Sequence, residues 1–96
     1  MQEWITVEFE YDPAKSSRNA EKHGIRFDEA VVLWDDPSLL ILPSRYPDEP
    51  RFLAIGAIEG KHWTAIFTER VDRTRLISVR RSRDAEADLY ERNKQD

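Results

Sequence analysis

The sequence predicts a small single α+β domain, residues 1–96, with an antiparallel sheet carrying helices on one face. Three observations predict it. "WITVEFEY" (residues 4–11) alternates, with Ile5, Val7, Phe9 and Tyr11 on one side. A capped helical stretch follows it. Alternating apolar runs separated by turn residues then fill residues 39–81, before a polar, helix-favouring end. The element order is β-α-α-β-β-β-β-α, and the opposite sheet face is expected to be open.

Taken in order, the strand over 4–11 ends at Asp12-Pro13, where Asp is a helix N-cap and Pro suits the first helical position. The helix runs to about His23, and Gly24 is the expected left-handed stop. A second helix covers about 28–35, with Asp28 as cap, Ala30, Val31 and Trp34 at helical spacing, and Asp36-Pro37 as its end. "LLILP" (39–43) is a short strand, and "SRYPDEP" (44–50) is a loop. "RFLAIGAIE" (51–59) and "HWTAIFTER" (62–70) form a hairpin about Gly60, and "RLISVRR" (75–81) follows a tight turn near 71–74. The final helix spans about 82–94, with Ala85, Leu89 and Arg92 on its expected docking stripe.

Composition narrows the class. Three Trp, three Tyr and four Phe supply a core for 96 residues. No apolar run approaches the roughly 20 residues of a membrane span, and Glu3 and Glu8 break any signal-peptide pattern. With no cysteine and two histidines, disulfides and thiolate metal sites are excluded and a zinc site is not expected. The expectation is a soluble, cytoplasmic domain with no metal and no cofactor.

Net charge is −4, but it is unevenly spread. Residues 1–50 carry five Lys/Arg against eleven Asp/Glu, whereas "RVDRTRLISVRRSR" (70–83) holds six Arg and one Asp. Arginine suits planar, bidentate phosphate contacts. Arg75, Ile77, Val79 and Arg81 alternate with Leu76, Ser78 and Arg80, so neither face of that strand is purely apolar. Two readings fit: a phosphate-binding surface, or a cross-strand ladder in which Arg75 or Arg81 pairs with Glu69.

Lys22-His23 also has two readings. Cations at a helix C-terminus gain roughly 0.3–1 kcal/mol from the helix dipole. The same pair suits RNA cleavage, where a base takes the 2′-hydroxyl proton, a cation stabilises the phosphorane, and an acid protonates the leaving 5′-oxygen. Glu69 is a second candidate base. His62 and the three Trp read as structural.

The blocks "YDPAKSSRNAEKHGIRFDEAVVLWDDP", "RFLAIG", "FTER" and "RLISVRRSRDAEADLYE" resemble the BrnT family of ribonuclease toxins, in order and over about residues 9–91. The resemblance implies a RelE-like fold, metal-independent RNA cleavage that inhibits translation, and a BrnA-type antitoxin whose own DNA-binding domain supplies the only link to DNA. Carried over by motif, Lys22 and His23 stand in the KHG block, Arg51 in the RF block, Glu69 and Arg70 in the TER block, Arg80 in the last strand, and Glu86 and Tyr90 in the terminal helix. The resemblance gives Arg70 and Arg80 charge stabilisation, and His23 or Glu69 proton transfer. Arg51, Arg75, Arg81 and Tyr90 are the expected substrate contacts. Tyr11, Phe67 and Ser82 depart from the family's usual Trp, Tyr and Ala, so no hydroxyl is available at 67. The alternative is a catalytically inactive module of the same fold that binds RNA or the antitoxin.

Overall fold

In the computed structural model, which describes residues 7–44 and 50–94, the chain runs β1 (Phe9–Glu10), α1 (Pro13–His23), α2 (Phe27–Ala30), a 3₁₀ turn (Val31–Asp35), β2 (Leu40–Ser44), β3 (Arg51–Ile58), β4 (Lys61–Arg70), β5 (Arg73–Arg81) and α3 (Asp84–Asn93). The start of the first expected strand (4–6) and most of the expected 44–50 loop (45–49) lie outside the described residues.

Local chemistry explains the helix ends. Asp12 accepts the Ala14 N–H at 2.8 Å, Pro13 opens α1, and Gly24 closes it at φ 80° with its N–H on the Ala20 carbonyl. The second helix differs from expectation. It starts at Phe27, and Glu29 reaches back to accept the Arg26 N–H at 2.8 Å, so Asp28 is not the cap. After Ala30 the chain tightens into the 3₁₀ turn, where β-branched Val31 and Val32 favour a regular helix less.

The five strands lie in the order β1-β5-β4-β3-β2. Neighbours β2 to β5 pair antiparallel. The β3–β4 turn has Glu59 and Gly60 both at positive φ, the twist that a two-residue hairpin needs. The expectation of a wholly antiparallel sheet is corrected by β1, which pairs parallel with β5, Phe9 opposite Thr74 and Glu10 opposite Arg75. Two helices and three strands separate β1 from β5, and the chain returns in the same direction.

The core fills one sheet face. Ala54, Trp63, Ala65, Phe67, Leu76 and Val79 meet Ile25, Phe27, Ala30 and Leu33, while Trp34 stands edge-on to Phe67 and Phe9, with centroids 5.3 and 4.9 Å apart. A β-carbon on Gly56 would stand 2.9 Å from Leu33 Cδ2 and 3.2 Å from Asp36 Oδ2, so glycine lets the 3₁₀ turn seat on β3. Gly56→Ala is expected to cost about 1–3 kcal/mol by overpacking, read as a lowered urea midpoint; an unchanged midpoint would show that Leu33 yields freely.

The expectation that every helix lies on one face is also corrected. α3 crosses the other face, since Thr64, which alternates with core residues Trp63 and Ala65, donates to Glu86 of α3 at 3.0 Å. Beneath α3, Ile55 and Thr64 are fully buried. Its contact side is Glu86, Leu89 and Tyr90, while Ala85 and Arg92 of the expected stripe are exposed. Away from α3, the same face carries Leu53, Ile66 and Arg75, all half-buried, and Thr68, which is buried at 3% exposure.

Candidate functional site

β5 organises the candidate residues, which fall into separate groups along it. In the middle, α1 lies beside the strand edge that the two-residue β1 leaves uncovered. Asn19 takes the place of a neighbouring strand there. Its Nδ2 donates to the Val79 carbonyl at 2.9 Å, and its Oδ1 accepts the Val79 N–H at 3.2 Å. The same Nδ2 also donates to the Ile25 carbonyl at 2.9 Å. Next to this contact, Lys15, Arg18, Lys22 and His23 border a groove of about 300 Å³ with Ile77 and Ser78 of β5. Lys22 and His23 thus share one groove, His23 half-buried and Lys22 exposed. Ile77 is the extra residue of a β-bulge, since Ile66 faces Ser78 while Phe67 faces Leu76.

Glu69 and Arg70 sit at the β4–β5 turn, exposed, and line a different pocket of about 270 Å³ with Arg73 and Thr74. Thr74 Oγ1 donates to Glu69 at 3.3 Å. On the sheet face that α3 crosses, Thr68 pairs with Arg75 across β4–β5, and its hydroxyl donates to the Pro50 carbonyl beside Arg51. Arg75 is bonded to Glu10 at 2.8 Å. The cross-strand partner of Arg75 is therefore Glu10, supplied by the parallel strand, in place of Glu69.

At the far end of β5, Arg80 is engaged inside the fold. Its Nη1 and Nη2 donate to Glu86 Oε1 and Oε2 at 2.8 and 2.9 Å, and the two side chains are only 19% and 14% exposed. The Arg80 guanidinium holds the Glu86 carboxyl at about 2. Arg81 donates to the His62 carbonyl at 3.2 Å and lies over Trp63, 5.4 Å from its ring. Tyr90 is buried and donates to Asp36 at 2.6 Å; burial and that carboxylate push its hydroxyl up to about 12. Burial alone would raise Asp36, but hydrogen bonds from Tyr90, Ser38 and Ala57 hold it below the usual carboxylate range.

The structure therefore groups Lys22 with His23 and Glu69 with Arg70, puts Arg51 and Arg75 on the sheet face that α3 crosses, and ties Arg80 and Tyr90 to acidic partners. Lys15 and Arg18 were not among the sequence candidates; their spacing to Lys22, three and then four residues, was the available signal. Among the described residues, no three His, Cys, Asp or Glu side chains gather closely enough to hold a metal ion. No described helix is long and apolar enough to cross a membrane.

A family model described as ribonuclease toxin, BrnT, of type II toxin–antitoxin system matches residues 11–86. The chain belongs to the BrnT family. The BrnT match runs from the end of β1 through the first turn of α3, so it contains the α1 groove, the β4–β5 turn and the Arg80–Glu86 pair, and it ends just short of Tyr90. BrnT membership implies a ribonuclease toxin with an antitoxin partner. Comparison with curated proteins gives no match.

Proposed function

We propose that this chain is a metal-independent endoribonuclease that acts in the cytoplasm, cleaves RNA, thereby inhibits translation, and is neutralised by a BrnA-type antitoxin. In this reading the 1–96 unit is a RelE-like domain, and DNA enters only through the antitoxin. The observation that carries it is the pairing of BrnT membership with a groove where an imidazole and three cations meet. His23 transfers the proton and Lys22 stabilises the charge that builds on the phosphate. The 2′-oxygen bonds to phosphorus, the bond to the 5′-oxygen breaks, and a 2′,3′-cyclic phosphate forms. Glu69 with Arg70 is the second candidate pair for the same steps, and Arg51, Arg75 and Arg81 are further candidate contacts to substrate phosphates.

A second reading, an inactive module that binds RNA or antitoxin, is favoured by one observation. Arg80 and Tyr90, two motif positions, are both committed to acidic partners within the fold.

The test is incubation of end-labelled RNA with antitoxin-free protein in EDTA. Cyclic phosphate ends are expected, and His23→Ala is expected to slow cleavage about a hundredfold with unchanged melting. No cleavage, with ribosomes present as well, would leave the binding module as the function. Cleavage by His23→Ala at the full rate would move the proton transfer to Glu69.

A further inference from the structure

We infer that the groove between α1 and the outer edge of β5 is the seat of a single-stranded RNA backbone, with Lys15 and Arg18 as phosphate-binding residues upstream of Lys22 and His23. The inference rests on the ribonuclease reading above and adds where the strand lies.

Charge comes first. In a chain of net charge −4, the residues lining this groove include four basic side chains and no acid. Three other pockets among the described residues mix acids with cations: Glu8, Glu69 and Asp72 with Arg70 and Arg73 in one, Glu29 and Glu59 with Lys61 in another, Asp35 and Asp36 with Lys94 in a third. Among the described residues, none of Lys15, Arg18, Lys22 and His23 has a carboxylate within ion-pair distance. Like charges three and four residues apart on a helix repel, and an anion laid along them relieves that repulsion. A polyanion is therefore drawn to this groove more than to those three.

Shape and rigidity favour RNA. The helical rise of about 1.5 Å per residue sets Lys15 about 10 Å from Lys22, a reach for successive phosphates on one strand. The groove volume, about 300 Å³, is at the scale of a small-ligand site, so it takes a nucleotide of a single strand, not a duplex. Ile77 gives a half-buried apolar surface for a sugar or base, and Ser78 a hydroxyl beside it. Asn19, between Arg18 and Lys22 in sequence, clamps α1 to Val79 with two hydrogen bonds, so the basic row is held at a set distance from β5. An acidic protein segment would meet the same charges, but it has no use for an imidazole at the end of the row.

The test measures binding of a fluorescein-labelled 2′-O-methyl RNA, which cannot form the cyclic product, to the full chain by anisotropy over a KCl series. Lys15→Ala/Arg18→Ala is compared with Lys61→Ala/Arg92→Ala, which removes two exposed cations elsewhere. The groove variant is expected to bind about tenfold more weakly, with a log–log salt slope smaller by about 1.4, since each single-strand phosphate contact contributes about 0.7. The control variant is expected to match the wild type. Cleavage of unmodified RNA by the groove variant is expected to need about tenfold more RNA to saturate, and its melting curve to be unchanged. Equal affinity and slope in the two variants overturns the inference even when the wild type cleaves, and leaves the ribonuclease reading standing. A selective loss in the groove variant, with no cleavage by any form, supports the groove and removes the enzyme. Retained RNA affinity with lost antitoxin affinity overturns the inference and makes this a protein interface.

Discussion

Asn19→Leu is expected to destabilise the protein by about 3–5 kcal/mol, because it orphans three buried backbone groups, each costing about 1–3 kcal/mol. These are the Val79 N–H, the Val79 carbonyl and the Ile25 carbonyl, all of which the Asn19 amide satisfies from a position only 7% exposed. Leucine keeps the branched four-atom skeleton, slightly enlarged, and supplies neither donor nor acceptor, so polar satisfaction is lost. Set against a typical total of about 5–15 kcal/mol for a small domain, this is a large fraction. Urea unfolding followed by Trp fluorescence checks it. A loss under about 1 kcal/mol would mean that water replaces the amide, so that α1 is only loosely clamped on β5. The consequence reaches the basic groove, since Lys22 and His23 lie in the turn after Asn19 and owe their position beside Ile77 to that clamp.

Asn19 also marks the boundary of what a single sequence reveals. The start and stop of α1 were legible because Asp12, Pro13 and Gly24 act on their immediate neighbours. The β3–β4 turn was legible for the same reason, through Gly60. The face by which α1 docks was not, because its buried residues are Ser16 and Asn19, and hydrophobic periodicity cannot report a polar contact. The parallel pairing of β1 depends on contacts 65 residues apart, such as that of Glu10 with Arg75. Nothing local distinguishes it from an antiparallel edge, so reading the elements along the chain led to an antiparallel sheet where the sheet is mixed. The same holds for α3, whose placement on the second face rests on Glu86 meeting Thr64, 22 residues away.

For the candidate site, the arginine stripe of residues 70–83 was legible as composition, and its dispersal was not. The bulge at Ile77 breaks the alternation and brings Arg75 and Arg80 to one face, where Glu10 and Glu86 meet them, while Arg81 lies over Trp63. A stripe in sequence is thus not a patch in space. The basic row on α1 was hidden in turn because its three longer members are interleaved with Ser16, Ser17, Asn19 and Glu21, and only the helical period gathers them.

Arg80 and Glu86 offer the clearest separation of fold from chemistry. The carboxyl of Glu86 sits at about 2, below its ordinary 4.5, so the stability it contributes is fully present above pH 4.5 and is lost as pH falls through about 2. That gap corresponds to about 3 kcal/mol. Glu86→Gln is expected to lower stability at pH 7 by about 2–4 kcal/mol, since it leaves a mostly buried guanidinium without its counter-ion, and to flatten the loss of stability between pH 4.5 and 2. Thermal melts from pH 7 to pH 2 measure both. An equal acid slope in variant and wild type would assign the low-pH loss to other carboxyls, such as Asp36. The charge-free pair Arg80→Met/Glu86→Gln then isolates the reaction. Glutamine keeps acceptors for the Thr64 hydroxyl and the Arg83 N–H, and methionine removes the stranded charge, so most of the lost stability is expected to return. If cleavage returns with it, Arg80 anchors α3 to the sheet and has no part in the chemistry. If the double variant is stable yet cleaves far more slowly, the motif arginine stabilises charge on the scissile phosphate, and α3 must release it from Glu86 for RNA to be cut.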